Sequence, residues 1–184
     1  MIVKKAEDEL DKTKSSLLAL DTVLQDPPLI TLTMNFCFLM ATWFVRLVDP
    51  ARKHPHPKLD ALPLPKNIPE TFSMLPEFFI EDLCESVIFT LRTKPKLFNQ
   101  VPIEPIAHFC LVFLSSTHLI KNPYLKAKLV EILFMMTWQF QGQPSGGLAV
   151  ILDVDPTMVR HLMPALIRFY VGKNEPSLPF IKLL

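Results

Sequence analysis

Three features of the 184-residue sequence predict an all-α fold of stacked helices. Apolar residues recur at three- and four-residue spacing through several long stretches. Proline punctuates the chain, with 18 prolines against 4 glycines. Pro28, Pro76, Pro105, Pro123 and Pro156 each stand where an apolar-periodic stretch begins, the helical position that best tolerates a missing N–H. Finally, no run alternates in steps of two between paired turn signals, so strands are not required. About six helices account for the pattern. No sharp repeat period emerges, so periodicity by itself gives a helical repeat or an irregular bundle.

The first helix is expected from about Val3 to Leu24. Val3, Leu10, Leu17 and Leu24 recur every seven residues, while Lys4/Asp8 and Lys5/Glu9 fall four apart on the wet side. Its simplest partner is the next helix, about Leu29 to Val48, which gives an N-terminal helical hairpin over residues 1–48. Leu29 to Val45 carries no charge, which raises the question of a membrane span. The run is short for one, contains Thr31, Thr33, Asn35 and Thr42, and follows Asp26-Pro27-Pro28, a helix start suited to water. A buried helix is the expectation.

Residues 49–72 read as a Pro-rich linker, since Pro50, Pro55, Pro57, Pro63, Pro65 and Pro69 forbid a continuous helix. A partly extended surface loop is expected there. The helical core, residues 73–184, then holds helices at about Pro76 to Arg92, Pro105 to Ile120, Pro123 to Trp138 and Pro156 to Val171. Ala107 to Leu114 is apolar almost all round apart from His108, which marks the most buried turns. Asn122 and Pro123 form a cap and first turn, with Leu125, Leu129, Ile132, Leu133 and Met136 on one face and Lys126 and Lys128 on a solvated one. Gln139 to Gly147 reads as a flexible loop. Pro164 shares a stripe with Arg160 and Arg168, opposite Val159, Leu162, Met163, Leu166 and Tyr170, so a kink facing water is expected.

Composition narrows the function. Lys and Arg number 19 and Asp and Glu 18, a balance that offers nucleic acid no electrostatic attraction. Cys37, Cys84 and Cys110 lie in apolar helical stretches, which favours reduced, buried thiols. Met1 to Leu20 is charged, unlike the apolar core of a secretory signal.

Candidate chemistry is sparse. His108 stands two residues from Cys110, but positions two apart on a helix point in different directions, and an apolar setting dulls a thiol. His54-Pro55-His56 resembles half a metal site, yet no further Cys or His lies at useful spacing, so both read as solvated loop residues. Asp155 before Pro156 is a helix cap, and Asp153 lacks a partner that would make a carboxylate pair catalytic. Ser115 and Ser116 have no nucleophile elbow, and no glycine-rich phosphate loop exists. No catalytic, cofactor-binding or metal-ligating residue is therefore expected, and no cofactor.

The wording of Asn122-Pro-Tyr-Leu-Lys-Ala-Lys-Leu-Val-Glu-Ile-Leu133 resembles the core of the ubiquitin chain-elongation (conjugation) factors, large U-box ligases. Leu75-Pro-Glu-Phe-Phe-Ile-Glu-Asp-Leu83 and Leu162-Met-Pro-Ala-Leu-Ile-Arg-Phe-Tyr170 are similar to neighbouring helices of that core. The resemblance runs from about Pro69 to Tyr170, and more loosely over Ala6 to Val48. It implies an armadillo-like helical-repeat (α-solenoid) segment. It also implies a ubiquitin-protein ligase that extends polyubiquitin chains on tagged substrates for proteasomal degradation, in cytoplasm and nucleus. In that family a C-terminal U-box recruits the ubiquitin-conjugating enzyme. Nothing through Leu178 to Leu184 resembles a U-box, so the expectation is a slice of a longer architecture, inactive by itself. Conjugating enzyme and ubiquitinated substrates would engage regions outside it, and an AAA segregase ATPase is the implied partner, with no nucleic acid and no membrane. The reading that competes is a non-enzymatic helical-repeat adaptor. A small membrane-anchored protein using Leu29 to Val48 is the third.

Overall fold

A computed structural model describes residues 2–56, 59, 61–95, 102–138 and 147–173. Among them the fold is all-α, with eight helices rather than the six expected and no strand. They are α1 (Ile2–Leu24), α2 (Pro27–Val48), α3 (Glu70–Ser73), α4 (Phe78–Thr93), α5 (Glu104–Ser115), α6 (Pro123–Met135), α7 (Gly147–Val154) and α8 (Pro156–Lys173). The two unforeseen helices are α3, inside the expected linker, and α7, at the end of the expected 139–147 loop. The rest of that loop lies outside the described residues.

Helix starts follow the chemistry of their first residues. Asp26 accepts the Leu29 N–H at 3.3 Å ahead of Pro27 and Pro28, so α2 begins with one orphan donor satisfied and two prolines where no donor is needed. Asn122 does the same for α6, accepting the Tyr124 N–H at 3.0 Å while its amide donates to Glu77 at 3.2 Å. One residue thus caps a helix and ties its start to the residue preceding α4.

The centre of the fold is α5, buried without interruption from Ile106 to Ser115. It packs against α2, α6 and α8, while α4 packs against α2 and α6. The contacts α2–α5–α6–α4 close a ring, and α8 lies against α5 outside it, with α7 on α8. An aromatic row runs through this core. Ring centroids are 6.0 Å apart for Phe44 and Phe109, 4.9 Å for Phe109 and Phe113, and 5.6 Å for Phe113 and Phe72. That row fixes the short α3 to α5 and, through it, to α2.

The segment before α3 is pinned rather than free. Leu59 and Leu64 are buried, and the Leu64 N–H donates to the buried Ser116 hydroxyl at 2.9 Å. Asp49 gathers the segment's first turn, accepting N–H groups from Ala51, Lys53 and His54 at 2.8–3.0 Å. Proline blocked a helix here but not burial, because a proline-rich chain still delivers leucines to a core.

Helix α2 is long and apolar enough to cross a membrane by length and composition alone. Its hydroxyls fold back: Thr31, Thr33 and Thr42 each donate to the carbonyl four residues earlier. Ile30, Met34, Cys37, Phe38, Ala41, Phe44, Val45 and Val48 are buried against the fold. The opposite stripe, Leu29, Leu32, Phe36, Leu39 and Trp43, is exposed.

The expected pairing of α1 with α2 is not formed. Every side chain from Lys4 to Leu24 is exposed, including Leu10, Leu17, Leu20 and Leu24. The heptad specified a seam on α1 but not which surface covers it, and the buried face of α2 is taken by α4 and α5. A second correction concerns α8. The helix includes Pro164, exposed as expected, and buries Met158, Leu162 and Ala165, but Val159, Met163 and Tyr170, expected on the covered face, form an exposed stripe with Ile167.

Candidate functional site

The three cysteines are buried and unpaired with one another by disulfide. Burial pushes the Cys37 thiol up to about 11, although a hydrogen bond with Ser86 opposes it. Burial likewise lifts Cys84 to about 12, against the opposing pull of the Lys128 ammonium. Cys110 is raised well above its ordinary value by complete burial, with Cys84 adding to the effect. A thiol in this state is not ionised near neutral pH, which dulls it as a nucleophile.

Lys128 was expected on a solvated face and is instead 95% removed from solvent, with 5% relative exposure. Its ammonium pairs with Glu85 of α4 and sits 4.5 Å from the centre of the Tyr124 ring. A long methylene stem lets such a side chain be buried while its charge meets a partner, here the largely exposed Glu85 carboxylate. Lys126 is only half-buried, and desolvation lowers its pKa. Arg92 and Glu131, 2.5 Å apart, add a second α4–α6 ion pair.

Among the described residues, buried ionisable side chains also converge at the junction of α5, α8 and the turn after α2. Glu104 and His108 lie four apart on α5 and therefore on one face. Asp155, between α7 and α8, uses both oxygens. One accepts the Thr157 and Met158 N–H groups at 2.9 and 3.4 Å, capping α8 as expected. The other lies 2.5 Å from His108 Nε2. Both residues are buried, with side-chain exposures of 3% and 2%.

His54 joins them from the other side. Expected in solvent, it is buried, and its ring centroid lies 6.1 Å from that of His108. The adjacent His56 is exposed, as expected. A cavity of about 210 Å³ opens here, lined by Thr42, His54, His56, Glu104 and His108 among others. Glu104, His108 and Asp155 each offer one ligand atom within 4.8 Å of the other two, but His108 Nε2 is in direct contact with Asp155 and Asp155 does not line the cavity, so the set does not fit a metal ion. Sequence spacing hid the cluster because its members come from three distant segments. The visible signal was a histidine in an otherwise apolar helix.

Nothing in the cluster resembles a nucleophile with its base. His108 Nε2 is held by Asp155, and no hydrogen-bond partner reaches its buried Nδ1. The arrangement joins helices and presents nitrogen and oxygen donors to a cavity.

Comparison with known proteins places this helical architecture. The family described as ubiquitin elongating factor core matches residues 1–176. The ubiquitin conjugation factor E4 of Schizosaccharomyces pombe is 32% identical over 173 residues, covering 92% of this chain and 17% of that protein. The probable ubiquitin conjugation factor E4 of Arabidopsis thaliana is 30% identical over 171 residues, covering 92% and 15%. The E4 ubiquitin-protein ligase UFD2 of Saccharomyces cerevisiae is 25% identical over 186 residues, covering 92% and 19%. The chain spans less than a fifth of the length of these curated relatives. Matched along nearly all of its length, it belongs to the ubiquitin elongating factor core family.

Proposed function

We propose that this chain is one layer of an armadillo-like superhelix in a U-box-type ubiquitin ligase, where it acts as scaffold while polyubiquitin chains are extended on tagged substrates. The observation that carries the scaffold reading is the open-ended packing. Helices α2 and α8 flank α5, and each turns an apolar stripe outward: Leu29, Leu32, Phe36, Leu39 and Trp43 on one, Val159, Met163, Ile167 and Tyr170 on the other. A stand-alone bundle presents polar outer faces, whereas a repeat layer keeps apolar ones for its neighbours. The buried, protonated thiols add that this layer contributes no covalent carrier of its own.

On the family reading, ubiquitin-conjugating enzyme, ubiquitinated substrate and an AAA segregase ATPase engage other parts of the longer architecture, in cytoplasm and nucleus, and the product is destined for proteasomal degradation. Two experiments test this. The chain alone, with ubiquitin, activating and conjugating enzymes and ATP, is expected to form no polyubiquitin; robust synthesis would overturn the scaffold role. Exchanging the matching segment of the fission-yeast relative for this chain is expected to preserve elongation. A folded but inactive chimera would count against the shared architecture and favour an adaptor.

A further inference from the structure

We propose that the chain assembles head to tail, the outward ridge of α8 in one copy docking into the groove between α2 and α4 of the next. The inference goes beyond the scaffold reading and holds whether or not the chain has a role in ubiquitin chemistry.

The groove is built by both helices. Phe36, Cys37 and Met40 of α2 and Phe78, Phe79 and Leu83 of α4 line a space of about 380 Å³. Cys37 and Leu83 are buried, whereas Phe36, Phe78 and Phe79 remain 59%, 53% and 41% exposed. Phe78 and Phe79 stack with ring centroids 4.5 Å apart and present one broad apolar surface. Lining positions recur at three- and four-residue steps on both helices, the spacing at which a groove between two helices receives the side chains of a third.

Charge selects the occupant. From Pro27 to Val45, α2 bears no charge; from Phe78 to Leu91, α4 bears Glu81, Asp82 and Glu85 and no basic residue. Asp82 lines the groove, and neither it nor Glu81 forms an ion pair among the described residues. The groove is therefore apolar within and negative at its lip, and it suits an apolar ridge flanked by cations.

This chain carries such a ridge. Val159, Met163, Ile167 and Tyr170 of α8 are exposed at three- and four-residue steps. Arg160 and Arg168 lie beside them and are also exposed, and α8 has no acidic residue from Pro156 to Lys173. A guanidinium both pairs with a carboxylate and lies flat on an aromatic face, and the groove offers Asp82 and the phenylalanines together. The bare helix α1 fits less well, because it mixes acidic and basic residues along its length.

Helix α8 packs on α5 from outside the ring, and α4 lies across the ring from α5. Ridge and groove thus sit on opposite sides of one chain and meet between copies. Such a contact joins two different surfaces, so each pair keeps an open ridge and an open groove to which further copies add.

Sedimentation velocity and light scattering of the full chain, over a range of concentration and salt, test the assembly. Association that grows with concentration and weakens as salt rises is expected. Glu81→Lys with Asp82→Lys at the groove, and Arg160→Glu with Arg168→Glu on the ridge, are each expected to weaken it at least about tenfold. A one-to-one mixture of the two variants is expected to associate again, because a basic groove then meets an acidic ridge while the unaltered faces still match. Lys4→Glu with Lys5→Glu changes the net charge as much as the ridge variant does and is expected to leave association unchanged. Circular dichroism melts verify folding. Asp82→Asn and Arg160→Gln, expected to weaken association in the same direction, decide where a charge-reversed variant fails to fold. A parent chain that stays monomeric would overturn the proposal. So would folded charge-reversed variants that associate as the parent does, which would place the contact on α1 or on a self-matching surface. A mixture of folded variants that fails to associate would overturn it as well.

Discussion

Asp49 shows how a single side chain converts a helix end into a defined path. Burial works to raise its carboxyl pKa, but the N–H donors of His54, Ala51 and Lys53, with the nearby His54 ring, outweigh burial and hold it below its ordinary value. A depressed carboxyl stabilises the fold fully above the unfolded-state pKa, and the benefit is lost as pH falls through the folded-state value. The stability of the parent chain should therefore decline below roughly pH 4. Asp49→Asn should lower Tm near neutral pH and flatten that acid limb, as followed by circular dichroism melts between pH 2 and 7. Equal acid sensitivity in both proteins would exclude this carboxylate as a source. The same turn delivers His54 to His108, so the residue that ends α2 also helps to shape the cavity wall.

Among the helices, α5 bears the greatest mechanical consequence because it touches α2, α6 and α8 together. Phe109 is fully buried in the aromatic row between Phe44 and Phe113. Phe109→Ala should cost about 3–5 kcal/mol, read from urea unfolding, because truncation both removes buried area and leaves a cavity between helices that cannot easily collapse. A loss below about 1 kcal/mol would mean that the row is loosely packed. Much of this was legible in advance. The prolines at the starts of α2, α5, α6 and α8 announced those helices, and the nearly all-apolar Ala107 to Leu114 announced the centre. Other parts were not. Helix α3 has four residues and α7 eight, too few turns for a period to register. Periodicity gives the face of a helix but not its depth, which is why Lys128 looked solvated. It cannot name a tertiary partner either, so α1 seemed destined for α2, and His54 seemed isolated until the fold set it beside His108.

At the scale of the whole molecule, the ring α2–α5–α6–α4 carries α8 on its outside. Its outward stripes on α2 and α8, together with the bare α1, make self-association the expected behaviour of the chain in isolation. Leu32→Glu with Leu39→Glu, both at exposed positions, should shift the chain toward monomer in light scattering without lowering Tm by more than a degree or two. An unchanged association state would exclude the α2 stripe as the contact. The buried amine of Lys128 has a different consequence, for covalent labelling. Lys4, Lys5, Lys12 and Lys14 project from a helix open on every side, whereas the Lys128 nitrogen is shielded between Glu85 and an aromatic face. An acylating reagent should decorate the former within its intrinsic reaction time and reach the latter only when α4 and α6 part, so that acylation of this single position becomes a clock for the breathing of the interior.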